Sequence, residues 1–172
     1  VLDRQTRLQE ADGLVAQQSP RVMVVTDFDA RDVRSLFETR RALEETAARL
    51  AAQRGDRAAF AALAGAFDRA GLGHEGGVDD YYELIAEFDA ALDAAVDNAY
   101  LVAALRTVRT HLARARRLAR DNHERLSASV AEHRLIATAI SAGDAELAAH
   151  ATHVHLHHAL TSILSSLSEG TP

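Results

Sequence analysis

Polar and apolar positions alternate at helical spacing along most of the chain. Asp29 can cap a helix, and after it Val33, Leu36, Phe37, Leu43, Ala47 and Leu50 recur on one face. That pattern predicts a long helix to about Gln53. Gly55-Asp56 ends it and caps a second helix over about 57–70, and glycine-bearing residues 71–77 read as a flexible loop. A third helix is predicted from about Asp79 to Val96, with Leu84, Ile85, Phe88, Leu92, Ala95 and Val96 in its apolar arc. Asp89 lies at the edge of that arc and Asp93 further toward solvent. After a break at Asp97-Asn98, a fourth helix over about 99–119 turns Leu101, Leu105, Val108 and Leu112 inward, with Arg109 and Arg116 flanking them. Ser129 and Glu132 form a capping-box pattern that opens a fifth helix. In it Val130, Ile136, Ala137 and Ile140 face inward with His133 among them. Gly143 stops that helix and Asp144 starts the last one, where Leu147, Ala148, Ala151, Val154 and Ala159 share an arc with His155. His150, His153 and His157 fall on another stripe, a solvated face or a dimer edge. Fraying is expected from Ser165 onward.

The first 26 residues follow a different pattern. Asp3 to Ala11 reads as the end of a helix stopped by Gly13. Leu14-Val15-Ala16, a turn at Ser19-Pro20 and Val22-Met23-Val24-Val25 read as a β-hairpin. A helix end and one hairpin are too little for an independent fold, so residues 1–26 are expected to be part of something larger. The expected fold class is all-α: an antiparallel bundle of about six helices over 29–167, preceded by a small hairpin.

Composition narrows the picture. Alanine, leucine and arginine dominate the 172 residues, and there is neither cysteine nor lysine. That excludes disulfides and thiolate metal sites. The net charge of −6 argues against the bundle as a whole being a nucleic-acid surface. No signal peptide and no membrane-spanning apolar run is evident, so cytoplasm is the expected compartment.

Three residues inside the helical stripes carry chemistry. Arg40 falls in the middle of the first helix's apolar face. A buried guanidinium needs a partner, either a bundle carboxylate or an anion held in its fork. His133 lies ten residues before Gly143 and His155 twelve after it. With about 1.5 Å of rise per residue, an antiparallel hairpin brings the two imidazoles level, roughly 15–18 Å from the turn. They read either as core histidines with local hydrogen bonds or as half of a metal site.

The order of several short motifs resembles the effector-binding (FCD) domain of GntR-type transcriptional regulators of the FadR subfamily. Leu36-Phe37-Glu38-Thr39-Arg40-Arg41-Ala42-Leu43-Glu44 is similar to its opening. Phe88-Asp89-Ala90-Ala91-Leu92 with Asp97-Asn98 is similar to its middle motif. Glu132-His133, Ile136, Ala139-Ile140, Gly143-Asp144 and His155-Leu156 are similar to its close. Leu8 to Val15 resembles the end of a winged helix-turn-helix domain, with the hairpin as its wing, although Arg21-Val22 stands where a glycine is usual. The resemblance implies a bundle with a central cavity, a divalent metal (zinc, nickel, manganese or iron), a small carboxylate effector, a homodimer, and operator DNA bound through winged helices. It implies no membrane partner. The family commonly has aspartate or asparagine at its first metal position and histidine four residues later; here these are Ile85 and Asp89. His133 and His155 match. The implied ligands are therefore Asp89, His133 and His155, a set that can hold zinc, iron or manganese; the alternative is a metal-free cavity where the histidines contact an anion directly. Arg40, Arg109 and Arg116 are the candidate effector-binding cations.

The leading expectation is thus the sensor domain of a transcription factor, not an enzyme. A metal-dependent helical-bundle enzyme is the alternative, resting on open metal positions alone. A third reading is a purely structural dimerisation bundle.

Overall fold

The computed structural model describes residues 15–19, 22–25, 29–73, 77–119 and 122–169, with side chains over 29–73, 77–112 and 122–168. Strands β1 (Val15–Ser19) and β2 (Val22–Val25) pair antiparallel, Val15 opposite Val25, with a register shift between Gln17 and Ser19. The hairpin read from the β-branched run is therefore present in the backbone. The helix end expected at Asp3–Ala11 lies outside the described residues.

Among the described residues six helices follow: α1 (Ala30–Arg54), α2 (Arg57–Arg69), α3 (Gly77–Val96), α4 (Ala99–Ala119), α5 (His123–Ala142) and α6 (Ala145–Glu169). Their ends are chemically local. Asp29 accepts from the amides of Arg31 and Asp32 at 2.7 and 2.8 Å, and Asp32 reaches back to the Asp29 amide, a complete capping box. Asp56 caps α2 through the Ala58 amide. Asn98 caps α4 through the amides of Tyr100 and Leu101. Gly143, at φ +75°, adopts the left-handed conformation that closes α5, and the Asp144 amide returns to the Ala139 carbonyl at 3.0 Å.

Two expectations are corrected. α5 begins a turn and a half before Ser129: its cap is Asn122, which accepts from the Arg125 amide, and Ser129 is buried mid-helix. Leu147 and Val154 are exposed; the inward stripe of α6 runs through Ala148, Thr152, His155, Leu156 and Ile163. Its steps of three and four residues keep one face, and Leu147 and Val154 sit beside it. α6 is helical to Glu169.

α1 runs through the bundle and packs on α3, α4, α5 and α6, most extensively on α6. The contact is possible because Ala47, Ala48, Ala51 and Ala52 of α1 and Ala148 and Ala151 of α6 are all buried; methyl-sized side chains let helix backbones approach closely. The core divides into two clusters. The larger joins these alanines to Phe60, Phe67, Tyr81, Ile85, Phe88, Leu92 and Ile140. The smaller holds Val33, Phe37, Leu112, Leu156 and Ile163. Arg40, His133 and His155 are buried polar residues, and the cavity they line takes its apolar walls from both clusters, Ile85 from one and Leu112 and Ile163 from the other. Among the described residues no helix is long and apolar enough to cross a membrane.

Candidate functional site

The two imidazoles predicted to be level are in contact: the ring centroids of His133 and His155 are 4.4 Å apart. Gly143 folds α5 and α6 antiparallel, and the near-equal counts on either side of the turn do the rest.

His133 is held in an aromatic cage. Phe67 of α2 stacks on it at 5.4 Å and 26°, and Tyr81 and Phe88 of α3 meet it edge-on at 6.0 and 5.7 Å. Its Nδ1 lies 2.8 Å from the Ser129 carbonyl. A carbonyl oxygen only accepts, so this nitrogen carries the proton and the lone pair of the neutral ring is on Nε2. The Tyr81 hydroxyl is 3.1 Å from the same nitrogen and donates to Ser129 Oγ at 2.6 Å. Ser129 thus belongs to the site and not to a helix cap.

His155 is oriented by Glu132. Its Nδ1 donates to Glu132 Oε2 at 2.8 Å, which again leaves the lone pair on Nε2. Glu132 also accepts from Arg125 at 2.6 and 3.0 Å and from His158 at 2.7 Å. Burial pushes the Glu132 carboxyl up, but hydrogen bonds from His155, Arg125 and His158 outweigh it and hold the pKa at about 2. Burial pushes His155 below its ordinary 6.5, more than the Glu132 bond raises it. His155 is therefore held neutral at physiological pH.

Arg40 is 4% exposed, and its guanidinium lies over the Phe37 ring at 4.6 Å. It makes a two-point bond to Glu44, one turn along, at 2.6 and 3.2 Å. Burial pushes Glu44 up, and the charge and hydrogen bonds of Arg40 more than offset it, leaving Glu44 below its ordinary value. The internal salt bridge expected as one reading of Arg40 is present. The same side chain also lines the cavities described next.

Arg40, Leu112, His133 and His155 border two adjoining cavities. One, of about 70 Å³, is bounded further by Tyr82, Ile85, Ile163 and the polar residues Arg125, Ser129 and Ser162. The other, of about 30 Å³, is bounded further by Glu44, Asp89, Arg109 and Thr152. Asp89, His133, His155, Arg40 and Arg109 therefore all face one region, as the sequence suggested. Arg116 lies where side chains are not described.

The partnerships within that region differ from the expected ones. Arg109 bridges Asp89 at 3.3 Å and Asp93 at 2.7 Å. Asp93, expected toward solvent, is the more enclosed of the two carboxylates because Arg109 and Arg106 of α4 lie across from it. Ile85 offers no donor atom and is buried in the apolar core. Among the described residues no three histidine, aspartate or glutamate side chains are gathered as a metal site. The donor set as folded does not fit a divalent cation: two imidazole nitrogens are present, the third ligand is neutralised by a guanidinium, and a second guanidinium, Arg40, lines the same cavities. Each guanidinium is itself paired, Arg40 with Glu44 and Arg109 with Asp89 and Asp93, so an anion entering there would compete with those carboxylates.

Sequence reasoning did not assign Glu132, Arg125, Glu44, Tyr81 and Ser162 to this site. Arg40 and Glu44 are four apart and Arg125 and Glu132 seven apart, spacings that share a helix face. Tyr81 and Ser129 are brought together only by folding.

A family model described as the FCD domain matches residues 35–158. Among solved structures, the crystal structure of a transcriptional regulator (GntR family member) from Pseudomonas syringae pv. tomato str. DC3000 is similar over 95% of this chain and 68% of that chain. The TM-score is 0.63 at 21% sequence identity, a likeness of fold. No curated protein sequence matches the chain.

Proposed function

The chain belongs to the FCD domain family, and on that premise we propose that it is the effector-sensing part of a GntR-type transcriptional regulator, not an enzyme. Its effector is a small organic acid bound between the helices. The observation that carries this reading is a buried guanidinium, Arg40, lining one cavity with two imidazoles 4.4 Å apart. A carboxylate there would take N–H donors from Arg40 in competition with Glu44, and His155, whose Nδ1–H stays on Glu132, would become a second donor only by taking up a proton on Nε2 as the acid binds. The apolar walls exclude water and strengthen each of these bonds. Arg125 and Arg109 are secondary cations, each already engaged with carboxylates.

The cavity is built from α1, α3, α4, α5 and α6. An acid that binds one packing of these helices better than another shifts the population toward it. In the proposed regulator that shift changes how two subunits of a homodimer present winged-helix domains to operator DNA, the β1–β2 hairpin being the wing.

The test is a thermal-shift titration with short carboxylates, followed by the paired change Arg40→Met with Glu44→Leu. Removing both partners leaves no orphaned charge, so the fold is retained. Stabilisation by at least one acid in the wild type and its loss in the paired variant is expected. An acid response that survives in the paired variant, or no response to any acid, overturns the reading.

A further inference from the structure

Ser162 carries one polar atom that nothing among the described residues satisfies. Its Oγ is closed off from solvent and has no hydrogen-bond partner, alone in this among the described side chains. Its neighbours on α6 behave differently: Thr161, Ser165 and Ser166 each donate to the carbonyl four residues earlier. That bond is the ordinary refuge of a hydroxyl inside a helix, and Ser162 does not take it. Buried polar groups are paired as a rule, and an orphan points to a missing partner.

Ser162 lines the cavity of about 70 Å³ together with Arg40 and His155, and on its other side borders an open groove with Arg125, His158 and Ser166. The cavity walls between Ser162, Arg40 and His155 are apolar, formed by Ile85, Leu112 and Ile163. At about 70 Å³, the space takes on the order of five water-sized groups. A ligand of that size with a carboxylate at Arg40 has room for one further polar group, and a χ1 rotation of Ser162, which lines the space, would turn its unsatisfied hydroxyl to meet that group.

We propose that Ser162 is a specificity-determining residue that hydrogen-bonds a second oxygen of the bound acid, so that the effector is a short hydroxy- or oxo-carboxylate and not a plain alkanoate. This rests on the carboxylate reading above and narrows it. The hydroxyl can donate to an oxo group and either donate to or accept from a hydroxyl, so both classes fit. A site holding an unpaired polar group discriminates against the analogue that leaves it unpaired.

The experiment is calorimetric titration of the full chain and of Ser162→Ala with butyrate, 2-, 3- and 4-hydroxybutyrate, and 2-oxobutyrate. In the wild type at least one oxygenated acid binds about tenfold tighter than butyrate, the size expected for one net hydrogen bond. Ser162→Ala abolishes that preference and binds butyrate as the wild type does. Unliganded Ser162→Ala melts at or above the wild type, because the variant loses an unsatisfied group. A preference that persists in Ser162→Ala overturns the inference and leaves the carboxylate reading standing, as does equal binding of butyrate and every oxygenated acid. A lower melting point for unliganded Ser162→Ala also overturns it, since the hydroxyl would then have a partner in the free protein. Failure of all the acids to bind either protein overturns both.

Discussion

Glu132 and His155 are joined across the α5–α6 hairpin by a 2.8 Å hydrogen bond from the imidazole Nδ1 to the carboxylate. The bond fixes which ring nitrogen carries the proton, and it does so beside the cavity. Arg125 holds the same carboxylate from two turns earlier on α5, and His158 holds it from one turn later on α6. One acidic side chain therefore positions the histidine and ties the two helices together. His133 is fixed separately, by the Ser129 carbonyl and the aromatic rings around it.

Glu132→Gln tests this arrangement. The amide keeps the shape but loses the charge, and half of its polar end donates where Arg125, His155 and His158 also donate. A loss of about 2 kcal/mol in urea unfolding is expected, below the full cost of breaking a buried pair because His158 is exposed. The carboxylate raises the pKa of His155. Its removal should therefore lower that pKa further, read from the imidazole resonance against pH. An unchanged or higher His155 pKa would show that the bond does not position the ring as described.

Stability should fall on acidification in two stages. His155 is held below 6.5 by burial, and Glu132 is held at about 2 against an ordinary 4.5. Both groups favour their deprotonated form in the folded state. Their contributions are complete above the ordinary values and are lost as pH falls through the folded ones. The His155 contribution begins to decline below about pH 6.5, and the Glu132 contribution declines between about 4.5 and 2. Urea midpoints measured across this range should drop in both windows. Glu132→Gln should flatten the lower one, and a wild-type midpoint that rises toward acid would contradict the assignment.

How much of this was legible in the sequence follows from how local each feature is. Asp29, Gly55-Asp56 and Gly143 act on their own amides and neighbours, so the helix boundaries they set could be read directly. The contact of His133 with His155 needed only a turn and a constant rise per residue. The start of α5 is not legible in this way, because Ser129 and Glu132 match a capping box in spacing alone. Their actual partners are Tyr81, 48 residues away from Ser129, and His155 and His158 on the next helix. Asp93 was misplaced for the same reason: its inward position depends on Arg109 of α4, and no periodicity within α3 contains that fact. Ser162 differs again, since its interest lies in a bond it does not make.

Gly143→Ala should weaken the hairpin that brings the histidines together. At φ +75° a Cβ is strained by about 1 kcal/mol, and here it would also press on the Arg57 guanidinium. Adding Arg57→Ala separates the two effects, because it relieves the crowding and leaves the backbone strain. The single variant should lose about 1–2 kcal/mol in thermal or urea unfolding, and the double variant should recover only part. Complete recovery would assign the whole cost to crowding.

The last prediction concerns the metal that the family resemblance implies. The chain keeps two imidazoles, but Ile85 is apolar and buried, and Asp89 is bound by Arg109. Purified protein should carry no stoichiometric zinc, nickel, manganese or iron by elemental analysis, and added zinc chloride should leave its melting temperature unchanged. The paired variant Ile85→Asp with Asp89→His should behave otherwise. Arg109 retains Asp93, its closer partner at 2.7 Å, so the new histidine is not drawn toward a guanidinium. Without metal, a carboxylate at buried position 85 is costly and the variant should melt well below the wild type. Zinc should restore much of that loss, since binding to the folded state alone adds to its stability. A wild type that retains one equivalent of metal through dialysis against a chelator would instead mean that Asp89 leaves Arg109 to complete a three-ligand site with His133 and His155.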